Sequence, residues 1–99
     1  MKVEIPPVGL QLAFAEWTRV LTVRLREYIP GVSAAAQGPA RVVWRYGGSE
    51  VWAVDHGGTY WVRFGSASIY DRDRHDAFTA GNCAKTIAGH LDARCSTPD

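Results

Sequence analysis

The chain is poor in cysteine, methionine and lysine, and it lacks any long apolar run. Its two cysteines, Cys83 and Cys95, are too few for the disulfide framework of a small secreted domain. Apolar runs stop at four residues, as from Leu12 to Ala15, far below the about 20 that a membrane-spanning helix needs. The N-terminus carries one lysine, then Glu4 and Pro6-Pro7 where a signal peptide would place its apolar stretch. These absences predict a reduced, cytoplasmic setting and no membrane partner. The net charge of +1 is too small for a polyelectrolyte that wraps nucleic acid. Arginine outnumbers lysine nine to two and alanine reaches thirteen, a bias that fits a GC-rich coding sequence. Arginine content alone is therefore no argument for guanidinium chemistry.

What is present suits one small globular domain. The 99 residues are 46% hydrophobic and 21% charged, which argues against disorder. A chain this size buries something over about 60% of the surface it exposes unfolded, enough for one core. Residues 1–99 thus form a single domain, with residues 1–8 as an arm and 95–99 as a frayed tail. In the arm, Lys2 to Ile5 suits a short edge strand, and Pro6-Pro7 forbids a helix.

From Gly9 to Ile29 the spacing is helical. Leu10, Phe14, Trp17, Leu21, Leu25 and Tyr28 form one apolar stripe, and Gln11, Thr18, Thr22 and Arg26 mark the opposite side. Pro30-Gly31 stops the helix, and residues 30–40 read as a loop. The period then changes to two over Arg41 to Tyr46, Glu50 to Asp55 and Thr59 to Ile69. Gly47-Gly48 and Gly57-Gly58 supply the positive φ angles of type I′ hairpin turns, so the three runs make an antiparallel meander. Residues 71–76 read as a polar loop offering an N-cap to a second helix, which runs to about Arg94 with Ala80, Ala84, Ile87 and Leu91 inside. The expected class is α+β: an α-β-β-β-α two-layer sandwich, with a three-stranded antiparallel meander and both helices on one face.

Two-residue turns fix the register. They pair Tyr46 with Ser49, Arg45 with Glu50, Trp44 with Val51 and Val43 with Trp52. In the second hairpin they pair Asp55 with Tyr60, Val54 with Trp61, Ala53 with Val62 and Trp52 with Arg63. One face then collects Val42, Trp44, Tyr46, Val51, Ala53, Tyr60, Val62 and Phe64 as the core. The other collects Arg41, Val43, Arg45, Glu50, Trp52, Val54, Trp61 and Arg63, with no helix left to cover it. Trp52, Trp61, Val43 and Val54 would form a patch comparable to the largest on a typical monomer, about 300–600 Å². Arg63, opposite Trp52, is placed for a cation–π contact, and Arg45 opposite Glu50 for a surface ion pair of small energetic consequence. The same tryptophans also suit a purely structural role as cross-strand pairs, or a cover by the N-terminal arm.

No constellation carries catalytic or metal chemistry. Asp71, Asp73, His75 and Asp76 are ligand types, but alternating arginines neutralise them, so a solvated capping loop is the better reading. Asp55-His56-Gly57-Gly58 resembles the His-Gly-Gly oxyanion segment of esterases, yet Phe64-Gly65-Ser66-Ala67-Ser68 lacks the second glycine of a nucleophile elbow. Cys83 reads as a small core residue, Cys95 as open to adventitious oxidation, and His90 as a solvated helix residue. The α-β-β-β-α order and the Ala84-Lys85, Ala88, Leu91 spacing are similar to double-stranded-RNA-binding domains, but Lys85 stands without that family's phosphate-gripping lysine cluster. The expected function is a non-enzymatic interaction module without metal or cofactor. Its Trp52/Trp61 face, with Arg41, Arg45, Arg63, Val43 and Val54, docks a protein partner or a second copy in the manner of an adaptor, inhibitor, immunity protein or chaperone. The alternative is single-stranded nucleic acid stacked on the same indoles, bound weakly because few cations would meet phosphate.

Overall fold

Two helices bracket five strands in the order α1 (Phe14–Tyr28), β1 (Ser33–Ala36), β2 (Arg41–Tyr46), β3 (Ser49–His56), β4 (Thr59–Phe64), β5 (Ala67–Arg72) and α2 (Ala77–Leu91). This computed structural model describes residues 10–72 and 74–92. The arm through residue 8 with its expected strand, Asp73, Arg94, Cys95 and the tail lie outside the described residues. The class is α+β, and the sheet is an antiparallel meander in the order β1-β2-β3-β4-β5.

The three-stranded meander is therefore corrected to five strands. Ser33–Ala36, expected in a loop, pairs with β2, with Ala34 opposite Trp44 and Ala36 opposite Val42. Alanine has little strand propensity, so tertiary pairing imposes the conformation here. The run from Thr59 to Ile69 is two strands. Gly65, at φ 58°, opens a two-residue turn with Ser66, and Phe64 pairs with Ala67 across it. Between Val62 and Arg63 the β4–β5 register slips, leaving Ile69 as an extra residue on β5. Both Ile69 and Tyr70 then pack on the core. Asp71 and Arg72 belong to β5 rather than to a loop, and the α-β-β-β-α similarity to double-stranded-RNA-binding domains goes with the three-strand count.

The glycine-pair hairpins are as the sequence implies. Gly47 and Gly48 (φ 57° and 86°) and Gly57 and Gly58 (φ 61° and 95°) all take left-handed backbone. Every expected pairing in β2–β3 and β3–β4 is present. The helix-facing side is the core: Trp44, Val51, Ala53, Tyr60 and Val62 are buried, with Val42, Tyr46 and Phe64 packed against them.

The first helix starts at Phe14 rather than Gly9. Residues 10–13 are instead drawn across to the far end of the chain: Leu12 N donates to His75 O at 2.6 Å, and Leu12 O accepts from Tyr60 Oη at 2.9 Å. Gln11 Oε1 accepts from His75 N at 2.7 Å. Leu12 is thus held by long-range partners, and Ala13 is the N-cap, its carbonyl accepting the first helical bond from Trp17 N at 2.8 Å. Leu10 and Tyr28, expected on the buried stripe, are exposed, whereas Thr18 is buried and donates to Phe14 O at 2.8 Å. Thr22 also faces inward, accepting the Trp44 indole N–H at 2.9 Å.

Asp76 caps α2 as the sequence suggests. Its carboxylate accepts from Thr79 N at 2.9 Å while Thr79 Oγ1 accepts from Asp76 N at 3.1 Å, a reciprocal capping box. The helix ends at Leu91, where Asp92 turns to extended backbone, three residues before the expected Arg94. Among the described residues no helix is long and apolar enough to cross a membrane.

Candidate functional site

Side-chain alternation along β2, β3 and β4 sets the residues of the outer sheet face, the side away from the helices. Arg41, Val43 and Arg45 come from β2; Glu50, Trp52 and Val54 from β3; Trp61 and Arg63 from β4. The structure brings all seven candidate residues, Trp52, Trp61, Arg41, Arg45, Arg63, Val43 and Val54, onto this one face. It also widens the face. β1 adds Ser33 beside Arg45 and Ala35 beside Val43, and β5 adds Asp71 beside Trp61.

The face is less open than a bare three-stranded sheet would leave it. Val43 is 1% exposed, because β1 turns β2 from an edge into an interior strand and sets Val43 between Ala35 and Trp52. Trp52, Val54 and Trp61 are half-buried. The exposed large apolar side chains among the described residues, Leu10, Tyr28 and Phe78, are none of those assigned to the patch.

Two indoles carry cationic partners. The Arg41 guanidinium lies 5.8 Å from the Trp52 ring centroid, a diagonal contact between neighbouring strands. Arg63 lies 5.2 Å from the Trp61 ring, its neighbour two residues back on β4. The expected contact of Arg63 with Trp52 is thus not the one formed, although the two are paired across β3–β4. His56 completes the cluster, its ring stacked on Trp61 at 4.7 Å and 26°. In the sequence His56 reads only as part of the Asp55-His56-Gly57-Gly58 turn, because the expected strand ends at Asp55, whereas β3 runs to His56. Alternation from Trp52 and Val54 would have placed it on this face.

Charge on the face is unevenly neutralised. Arg45 Nε donates to Glu50 Oε2 at 2.6 Å, the expected surface pair. Among the described residues, Arg41 and Arg63 form no ion pair. Each of these two guanidiniums lies within cation–π range of an indole and meets no carboxylate among the described residues.

Several other titratable groups make contacts within the domain. Asp55 Oδ1 accepts from Gly58 N at 3.0 Å, so Asp55-His56-Gly57-Gly58 is a hairpin turn closed by its own aspartate. His75 is buried and stacks on Tyr60 at 3.4 Å and 13°. Burial pushes the Tyr60 hydroxyl up, with Asp55 and Tyr70 adding to the effect, and burial likewise raises Tyr70. Burial also pushes the Cys83 thiol far up, which leaves it a protonated core residue. His90 is exposed, its ring 5.2 Å from Phe64. No group of three metal-ligating side chains gathers among the described residues. A cleft of about 210 Å³ between β5 and α2 is lined by Tyr70, Arg72, Thr79, Asn82, Cys83 and Thr86. The hydroxyls of Thr79 and Thr86 already donate to the carbonyls of Asp76 and Asn82, and that of Tyr70 to Arg74 O.

No protein-family model, no curated protein and no solved structure matches this chain.

Proposed function

We propose that the protein is a small non-enzymatic interaction module that docks a protein partner on its outer sheet face. The observation that carries this reading is the pairing of two half-buried indoles with two guanidiniums that form no ion pair among the described residues: Trp52 with Arg41 and Trp61 with Arg63. Tryptophan and arginine dominate interface energetics because each combines a large desolvated area with directed hydrogen bonding. Here the tryptophans are already held in place, so little side-chain entropy is lost on docking. A partner surface with an apolar ridge flanked by carboxylates matches this array.

Bases stacking on the same indoles would meet competition. Trp61 already stacks on His56 and has Arg63 above it, and Arg41 occupies Trp52. A base would have to displace these groups, which favours a protein partner over single-stranded nucleic acid.

The test is capture from lysate of the organism that encodes the chain, with and without nuclease, using the whole chain and its Trp61→Ala and Arg63→Glu variants. The expected result is a protein retained after nuclease treatment and lost with either variant. Equal recovery by all three chains would contradict the reading. Capture that disappears with nuclease would move it to nucleic acid.

A further inference from the structure

The two edges of the sheet differ in kind. β5 carries Asp71 and Arg72 and is bulged at Ile69, features that discourage another strand from adding on. β1 is Ser-Ala-Ala-Ala, uncharged and unbulged, and among the described residues no strand lies on its outer side. Pro30 and Pro39 bracket it at a distance and leave residues 33–37 free of proline.

The direction of its main-chain groups follows from the ladder. Gln37 N donates to Arg41 O at 2.8 Å, which makes 37/41 a hydrogen-bonded pair. By alternation 35/43 and 33/45 are also hydrogen-bonded, whereas 34/44 and 36/42 are not. Ala34 and Ala36 therefore direct their N–H and C=O groups away from β2, along the open edge.

We infer that β1 pairs antiparallel with β1 of a second copy of this chain, joining two five-stranded sheets into one of ten strands. A two-fold axis through Ala35 sets Ala34 opposite Ala36 of the second copy, and the converse. All four outward main-chain groups of each copy are then satisfied at once. The side chains permit this register: Ala35 meets Ala35, Ser33 meets Gln37, and no like charges face each other. A foreign strand is a poorer fit, because peptides added to a sheet edge are recognised through side-chain pockets, and an edge of alanines offers none. Residues paired in an antiparallel ladder point to one side, so both outer faces lie together. The assembled surface presents two Trp52/Trp61 clusters in one plane. So short a ladder makes a small interface, and the dimer dissociates on dilution.

Solution mass of the whole chain from about 10 µM to about 1 mM tests this. The wild type is expected to rise from 10.9 kDa toward twice that value. Ala36→Pro removes one outward donor and no β1–β2 hydrogen bond, and should stay monomeric. Should that variant misfold, Ala35→Lys and Ala35→Glu read the same contact: each alone should be monomeric, and their equimolar mixture should regain the dimer. A wild type that is monomeric throughout would overturn the inference. So would a dimer that survives Ala36→Pro and both charge variants, or one that Trp61→Ala alone dissociates.

Discussion

His56 stacks on Trp61 across the β3–β4 hairpin, so the indole most central to the proposed interface is already part of an aromatic pair within the domain. With Arg63 over the same ring, Trp61 has a modest structural share as well as its proposed binding role. Trp61→Ala should therefore lower stability by about 1 kcal/mol, the sum of a cross-strand pair and an exposed cation–π contact. Trp17→Ala, which empties a fully buried site, should cost about 3–5 kcal/mol. Urea unfolding of the two variants compares them directly. Equal losses would place Trp61 in the core.

The capping box at α2 makes stability depend on pH. The Thr79 backbone N–H holds the Asp76 carboxyl below its ordinary range; Arg74 assists and burial opposes. A carboxylate lowered in the folded state stabilises above the unfolded-state value and loses that contribution as pH falls through the folded one. Stability should therefore fall as the medium is acidified below about pH 4, in the ordinary range of aspartate. Asp76→Asn keeps an acceptor for Thr79 N but removes the titration, so its unfolding midpoint should vary less between pH 5 and pH 2. Asp76→Ala should cost about 1 kcal/mol even at neutral pH.

Hairpin turns at positive φ give a cleaner test of backbone cost. A Cβ at Gly57 meets nothing within 4 Å, so Gly57→Ala is penalised only by the left-handed conformation at φ 61°. The expected loss is about 1 kcal/mol, and Gly57→Asn, whose side chain tolerates that region, should recover most of it. Thermal unfolding of the two variants reads the difference.

The buried indole N–H groups offer a further check on the packing of α1. Trp44 Nε1 donates to Thr22 Oγ1 at 2.9 Å. Thr22→Val keeps the shape of the side chain and leaves that donor without its partner, for an expected loss of about 1–3 kcal/mol. A neutral effect in urea unfolding would mean that the hydroxyl is replaced by water.

How far the sequence revealed this molecule can be followed residue by residue. The glycine pairs at 47–48 and 57–58 allow one register for each hairpin, and through it the two faces of β2, β3 and β4 were legible. Gly65-Ser66 signals a turn just as well, but it is embedded in a run of strand-forming residues, so Thr59 to Ile69 reads as one continuous strand. β1 left no trace, since three alanines carry neither strand propensity nor alternation. The start of α1 depends on Leu12 meeting His75 and Tyr60, partners roughly fifty to sixty residues away that local spacing cannot reveal. On the outer face, which residues gather was legible from parity. Which guanidinium covers which indole was not, because Arg63 can reach either the cross-strand Trp52 or the same-strand Trp61, and side-chain packing decides between them.

The most direct test of the outer face as an interface is the amount of protein captured by Trp61→Ala relative to wild type, at a temperature where both chains are shown to be folded. Near-complete loss of a nuclease-resistant partner from the folded variant is the predicted result. Undiminished capture by that same folded variant would contradict it, and the tryptophans would then serve only to hold the sheet together.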